Sequence, residues 1–503
     1  MRNRVWFWFV MGASLLFSTQ SKADTAARRS FTLRECVEMA ITRNFDVQLE
    51  RLSADIARYN LDTSYGAYVP LFSFQARRDF VSQPADFDPK KISIDNAYEE
   101  TIDTAGPTLS GHIPFGLSYD FSGVASERRA HSSLSTTNAT FPTGVRQTNN
   151  YFAEAGINLR QHLLKDFWVD QDSTTIVLRS KDLKISEQSF RFLLMKTVLA
   201  VELAYYDLIV ARENIGVQEK ALQLRRQLVT ETARRVQVGD LPPLDSEQAE
   251  TQLQNTITAV TAARELFVSR QNALKNLLTD NFKDWADADL EPSETLVALP
   301  AGANRAVSSL YALKTRPDLI EARIAVEKNA ALVRFRFNQL LPAIDAIGGY
   351  ARQDIADTAS EAFHLREPLY TYGVVLTLPL SNLAERGRYR ATKADRQMAE
   401  LQLKKAEQQV LVDIADLVNR VESRFSQVGS TQKARTYAES ALGAEQKKLA
   451  NGLSTSFIVL QLQETLTAAR TAELQALADY NKAVAQLTFA EGRALDKYHL
   501  DAR

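Results

Sequence analysis

The chain has a single cysteine, Cys36, in 503 residues. No internal disulfide can form, so packing or assembly must hold the fold. Nucleotide signatures are absent too: no glycine is followed by lysine, which excludes a P-loop, and there is no GxGxxG fingerprint. Five histidines, at 112, 131, 162, 364 and 499, show no metal-ligand spacing, and one cysteine cannot supply a zinc cluster. Net charge is −1 with acids and bases interspersed, so nothing points to nucleic acid. Beyond the N-terminus no stretch is long and apolar enough for a spanning helix. No enzyme, cofactor or metal is expected from these absences.

The N-terminus reads as an export address. Arg2 and Arg4 precede an apolar run from Val5 to Phe17, and Ser21-Lys22-Ala23 is a small-x-small cleavage site. A signal peptide over residues 1–23 is expected. Cys36 lies in "LRECVEMA", with no lipobox around it, so it is expected to be a buried small residue and not a lipid anchor.

Proline is missing from residue 143 to 241 and again after Pro379. Those gaps hold long helices. Between 168 and 238, Leu194, Val201, Leu208, Ile215, Leu222, Val229 and Val236 form a seven-residue repeat, a coiled-coil seam. A helix of about 70 residues is about 105 Å long. Residues 383–450 predict a second such helix. Gly239 breaks the first and Gly452 the second, and shorter helices follow near 243–280 and 454–491. Two more short helices are expected, from Thr32 (a capping box, Thr32-Leu33-Arg34-Glu35) to about 67 and from about 307 to 338. In each half the two short helices together match the long one, at roughly 70 residues. Stacked end to end beside it, they would build a wall of coiled-coil pairs. The acidic segment 281–306, with two prolines, reads as a belt around that wall.

The halves repeat. Pro70 and Pro342 stand 272 positions apart, each where a helical run turns into a strand. At the same offset Ala40 meets Ala312, Asp46 meets Asp318 and Arg51 meets Arg323, which suggests internal duplication.

The strands alternate. Tyr151, Ala153, Ala155, Ile157 and Leu159 share one face, and Glu154, Asn158, Arg160 and His162 the other. Tyr370, Tyr372, Val374, Leu376 and Leu378 share a face, and Phe72 and Phe74, Ile344 and Ala346 follow the two prolines. Apolar-out, polar-in segments of about ten residues match transmembrane β-barrel strands. Each half supplies an out-and-back pair, near 70–81 and 150–162 and near 342–352 and 369–380. Four strands cannot close a barrel, and lipid does not tolerate open edges, so copies must share one. Two copies would give eight strands, filled by side chains; three would give twelve, with room for a pore.

Together these features resemble the TolC-like outer-membrane efflux protein family, over nearly the whole chain after the signal. The residues that carry the likeness are "LRECVEMAITRNFDVQLERL" with Pro70, "LYALKTRPDLIEARIAV" with Pro342, "LRQHLLKDF", "RRVQVGDLPPLDSEQAE", "KKLANGLSTSFIVLQLQETL" and "YNKAVAQLTFAEG". The resemblance implies an α+β membrane protein: a homotrimer with a long periplasmic coiled-coil barrel and a twelve-stranded transmembrane β-barrel set in outer-membrane lipid. It also implies a periplasmic adaptor protein and an inner-membrane pump of RND or ABC type. The expected function is a passive exit duct for drug efflux or type I secretion, with a structural envelope spacer as the alternative. Expected domains are a first repeat over 24–281, a linker over 282–306, a second repeat over 307–491 and a tail over 492–503. The run "SGHIPFGLSYDFSG", 110–123, departs from the simplest family pattern. One extra span would leave the chain on the wrong side, so this run is expected in an extracellular extension or paired within its loop.

The candidate functional residues lie at the two glycine turns. Chain direction places both opposite the barrel, where they would close the tunnel and meet the adaptor. They are Gly239, Asp240 and Asp245 in the first turn, and Gly452, Ser454, Ile458 and Gln461 in the second. Better-known relatives carry an acidic pair after the second turn; here Ile458 and Gln461 stand where acids are expected. An entrance closed more by apolar packing than by a double carboxylate ring follows. Asp245 would form one weaker ring, or Asp240 and Asp245 only cap helix starts. Pro70 and Pro342 mark the helix-to-barrel junctions.

Overall fold

The structure, a computed structural model, describes residues 29–84, 86–88, 93–95, 97–134, 144–239 and 241–500. The expected signal peptide and Asp240 lie outside the described residues.

The first half runs β1 (Arg29–Phe31), α1 (Leu33–Arg43), α2 (Phe45–Tyr65), β2 (Leu71–Gln83), β3 (Asp86–Asp88), β4 (Ser93–Asp95), β5 (Tyr98–Ile113), β6 (Leu117–Leu134), β7 (Gly144–His162), α3 (Gln171–Gln237) and α4 (Pro243–Leu278). Short α5 (Phe282–Trp285) and β8 (Leu290–Pro292) follow. The second half runs α6 (Arg305–Thr315), α7 (Pro317–Asn338), β9 (Ala343–Ala356), α8 (Ala359–Ala362), β10 (Glu367–Thr377), α9 (Leu383–Ala450) and α10 (Ser456–Ala490). A shift of 272 carries α1 (33–43) onto α6 (305–315), and Leu71, the head of β2, onto Ala343, the head of β9.

The long helices are there: α3 has 67 residues and α9 has 68. The short ones differ from expectation. The run from Thr32 is two helices broken at Asn44, and the run to 338 is two helices broken at Arg316. Pro317 explains the second break, because it lacks an N–H and drives the residue before it into extended backbone. Asn44 takes the equivalent extended place, and its Nδ2 donates to the Leu277 carbonyl at 3.1 Å. The capping box at Thr32 is formed: Glu35 N donates to Thr32 Oγ1 at 3.3 Å, and Thr32 N to the Glu35 carboxylate at 2.9 Å. The seven-residue seam of α3 holds only in part. Leu194, Val201 and Leu208 are buried, but farther along the buried line moves to Arg225, Leu228 and Thr232. A straight α-helix drifts about 20° per heptad, so a strict seven-residue row leaves the core after a few turns.

The chain forms two compact units, each drawing on both halves of the sequence. One comprises the chain up to Asn44, Ala200–Leu299 and Gln427–Lys482. In it β1 pairs with β8 in parallel. The segment after α4 runs across three helices and is tied to each. From α3, Arg212 donates to the Pro292 carbonyl. From α4, Gln271 donates to Leu290 O at 3.0 Å and Lys275 to Ala286 O at 3.0 Å. From α10, Tyr480 donates to Leu299 O and Asn481 to Val297 O. Proline and polar residues suit this path because the helices supply donors to the segment's carbonyls. Trp285 is buried and stacks on Phe31, ring centroids 5.9 Å apart.

The other unit comprises Phe45–Leu199, Pro300–Ser426 and the chain from Ala483. Its centre is one antiparallel sheet in the order β10-β9-β7-β6-β5-β2. This corrects the four strands read from sequence: the sheet has six. All four expected strands are present, and β5 and β6 are added between β2 and β7. The run 110–123 is the turn of this added hairpin, paired within its loop, the second of the two expectations for it. Two added strands, not one, return the chain to the side it left. Within β5, "TAGPT" reads as a breaker, and Pro107 does interrupt the ladder to β6. Gly106 fits there because the backbones nearly touch: a Cβ on it would stand 2.0 Å from Gly123 O.

Cys36 is 1% exposed, and burial pushes its thiol pKa up to about 12. At pH 8 the nucleophilic thiolate is therefore scarce. A maleimide reagent is expected to leave the folded protein unlabelled at pH 8 and to label it fully in denaturant. Labelling of the folded protein at a rate near that of the denatured chain would contradict this packing.

Candidate functional site

The two glycine turns both lie in the first unit. Gly239 has φ +84° and Gly452 φ +74°, the left-handed region that a side chain disfavours. At the second turn Leu453 N donates to Lys448 O at 2.9 Å and Gly452 N to Leu449 O at 3.1 Å. That is a Schellman ending, which satisfies the last carbonyls of α9. Arg235 of α3 reaches across and donates from both terminal nitrogens to the same Leu449 carbonyl, at 3.3 and 3.4 Å. A guanidinium is favourable there because helix C-termini carry partial negative charge.

Ser454 does not cap α10. Its hydroxyl donates to the Glu445 carboxylate at 2.5 Å, and Lys448 Nζ sits 2.9 Å from the other oxygen. That hydroxyl, then the lysine, holds the Glu445 carboxyl below its usual range. Asp245 lies in the first turn of α4, while the N-cap is Pro242, so Asp245 is not the cap. There its charge suits the positive end of the helix.

Ile458 and Gln461 are exposed on α10. With them, Val238, Leu244, Leu453 and Phe457 leave large apolar surface uncovered around the turns. Beneath, Leu228, Leu442, Leu449, Val459 and Leu466 form a buried cluster between α3, α9 and α10. Ion pairs flank it: Arg470 to Glu439 at 2.8 Å and Arg435 to Glu473 at 2.5 Å.

A groove of about 470 Å³ runs between α4 and α10, with Leu244, Glu247, Phe457 and Gln461 on its walls. Arg225 of α3 also lines it, 7% exposed, with Nη1 lacking a partner among the described residues. Burial lowers the pKa of this guanidinium, and Glu464 opposes the shift. Thus Gln461 is brought to the groove, while Asp245 and Ile458 are not among its lining residues. Sequence reasoning missed Arg225, because one arginine among many on a polar helix carries no signal of burial.

The proline junctions lie in the second unit. α7 ends at Asn338 and β9 starts at Ala343, one residue after Pro342. Asp166 N donates to Asn338 Oδ1 at 2.8 Å and Leu163 N to Ile344 O at 2.8 Å, which binds the exit of β7 to the start of β9. His162 Nδ1 lies 2.6 Å from Asp345 Oδ1. After α2, Pro70 precedes β2, and Tyr68 packs edge-on against His112, whose Nε2 is 2.8 Å from Asp172 Oδ2. Among the described residues no cluster of His, Cys, Asp or Glu is placed to hold a metal ion.

Alanine in place of Gly452 meets no atom within 4 Å, so its cost is the left-handed backbone alone, about 1 kcal/mol. Gly443, inside α9, is also unobstructed, and alanine there stabilises by up to about 1 kcal/mol. Thermal unfolding in detergent is expected to rank Gly443→Ala above the parent and Gly452→Ala below it. The reverse order would refute the turn geometry.

Comparison with known proteins gives a partial family match and a shared fold. Residues 311–493 match the family model "Outer membrane efflux protein". The outer membrane efflux protein BepC of Brucella suis biovar 1 (strain 1330) is 25% identical over 351 residues, covering 67% of this chain and 72% of that protein. The Campylobacter jejuni CmeC outer membrane channel superimposes with a TM-score of 0.67 at 14% identity, over 98% of this chain and 94% of its own. The outer membrane protein VceC of Vibrio cholerae gives a TM-score of 0.65 at 19% identity, over 92% and 96%. Residues 311–493 thus match the outer membrane efflux protein family in sequence, and over nearly the whole chain the fold is that of the CmeC and VceC outer membrane channels.

Proposed function

We propose that the protein is the outer-membrane exit duct of a tripartite efflux or type I secretion system. It works as a homotrimer and passively conducts substrates delivered by an inner-membrane pump through a periplasmic adaptor. The observation that carries this reading is the sheet. A row of apolar side chains crosses all six strands on one face, and the sheet's two edges, β2 and β10, have no strand partner among the described residues. Such a sheet becomes stable in lipid when copies join edge to edge into a closed barrel.

The glycine turns are the proposed aperture and adaptor contact. Leu453, Phe457 and Ile458 supply an apolar closure, and the groove above Arg225 offers a seat for an adaptor helix. Asp245 supplies at most one carboxylate per chain to a ring. An export signal over residues 1–23 fits an outer-membrane destination.

Two measurements test this. Native mass spectrometry in detergent is expected to show a trimer that conducts in planar bilayers; a stable monomer, or no reproducible pore, would favour an envelope spacer. A multivalent cation on the periplasmic side is expected to block the parent weakly and Ile458→Asp strongly, through three like charges around a narrow opening. Strong block in the parent that survives Asp245→Ala would mean the aperture lies elsewhere.

A further inference from the structure

We infer that the β5–β6 hairpin crosses the membrane in full, so that three copies build an eighteen-stranded barrel with a lumen wider than twelve strands allow. This rests on the channel reading above. The hairpin is not a surface decoration, because its faces continue those of its neighbours. Directly paired residues share a face, and the pairings link Phe72, Leu109, Phe121, Ile157, Tyr350 and Tyr370 into one row across all six strands. Every member is aliphatic or aromatic. The adjacent row on the opposite face links Leu71, Ser110, Asp120, Asn158, Gly349 and Thr371, polar or glycine on every strand but β2. A soluble extension would have no reason to keep an apolar face flush with four membrane strands.

The hairpin also has the right extent. On β6 the apolar positions run from Leu117 to Ala125, about 26 Å along the strand at 3.3 Å per residue. That stretch falls at the lower end of the roughly 9–11 residues that a tilted transmembrane strand needs. Charge begins at one end on three strands together. Arg78 of β2 pairs with Asp103 of β5 at 2.5 Å, and Arg129 of β6 reaches the same carboxylate at 2.7 Å. At the other end the hairpin turn sits at the strand junctions, where His162 N donates to Gly116 O at 3.0 Å. Both β5 and β6 therefore traverse the sheet from one boundary to the other.

Barrel diameter grows about linearly with strand number, so eighteen strands give a barrel about half again as wide as twelve. Barrels of 16–18 strands leave an open aqueous channel. The inner row is polar, so the added strands enlarge a wetted lumen.

Cysteine scanning in the full-length protein reconstituted in lipid tests the inference, because Cys36 is buried. Phe121→Cys and Leu109→Cys are expected to react with a reagent confined to the lipid phase. Ser122→Cys and Thr108→Cys are expected to react only with a water-soluble maleimide. Phe72→Cys and Tyr372→Cys report on the flanking strands. If these two label from lipid while the hairpin positions label only from water, the six-strand inference falls and the channel reading stands. If no position labels from lipid, both fall. Electron microscopy of the trimer in nanodiscs counts the strands directly: eighteen supports the inference and twelve overturns it.

Discussion

A β-sheet with two open edges and one continuous apolar face cannot rest in water or in lipid as it stands. In water the face is exposed; in lipid the edge N–H and C=O groups lose their partners, at several kcal/mol each. A barrel of copies joined edge to edge within lipid removes both problems. The rest of the second unit serves that requirement. Proline junctions end α2 and α7 where β2 and β9 begin, and bonds from Asp166 and Leu163 fix the exit of β7 beside the start of β9. Each strand thus starts from a set position, which pins the register on which the apolar face depends.

The first unit meets a different constraint. A helix as long as α3 or α9 cannot bury a strict seven-residue row over its whole length without supercoiling. Its core moves from residue to residue, and polar groups such as Arg225, Thr232 and Gln463 end up inside. A segment of irregular chain ties three helices together through its carbonyls. At the turns the balance is local. A left-handed glycine, a Schellman ending and one arginine on a helix C-terminus hold two chain reversals, and large apolar side chains stay uncovered. That uncovered surface has a use if other copies or an adaptor cover it.

Much was legible in the sequence because the signals were periodic or punctuating. Proline gaps marked the long helices, Gly239 and Gly452 marked the turns, and a 272-residue offset marked the repeat. Alternation at residues 151–162 and 370–378 marked strands, whose apolar positions share one face of the sheet. What the sequence hid was decided by pairing across space. β5 contains Gly-Pro and several small residues, which locally argue for a loop, and only the flanking ladders of β2 and β6 make it a strand. The break at Asn44 lacks the proline that marks its counterpart at Pro317, and depends on a bond to Leu277 far along the chain. Arg225 is buried because of where α4 and α10 run, not because of its neighbours in sequence. Local pattern determined which segments are helical or extended; contacts between distant segments decided how many strands pair and which polar side chains lie inside.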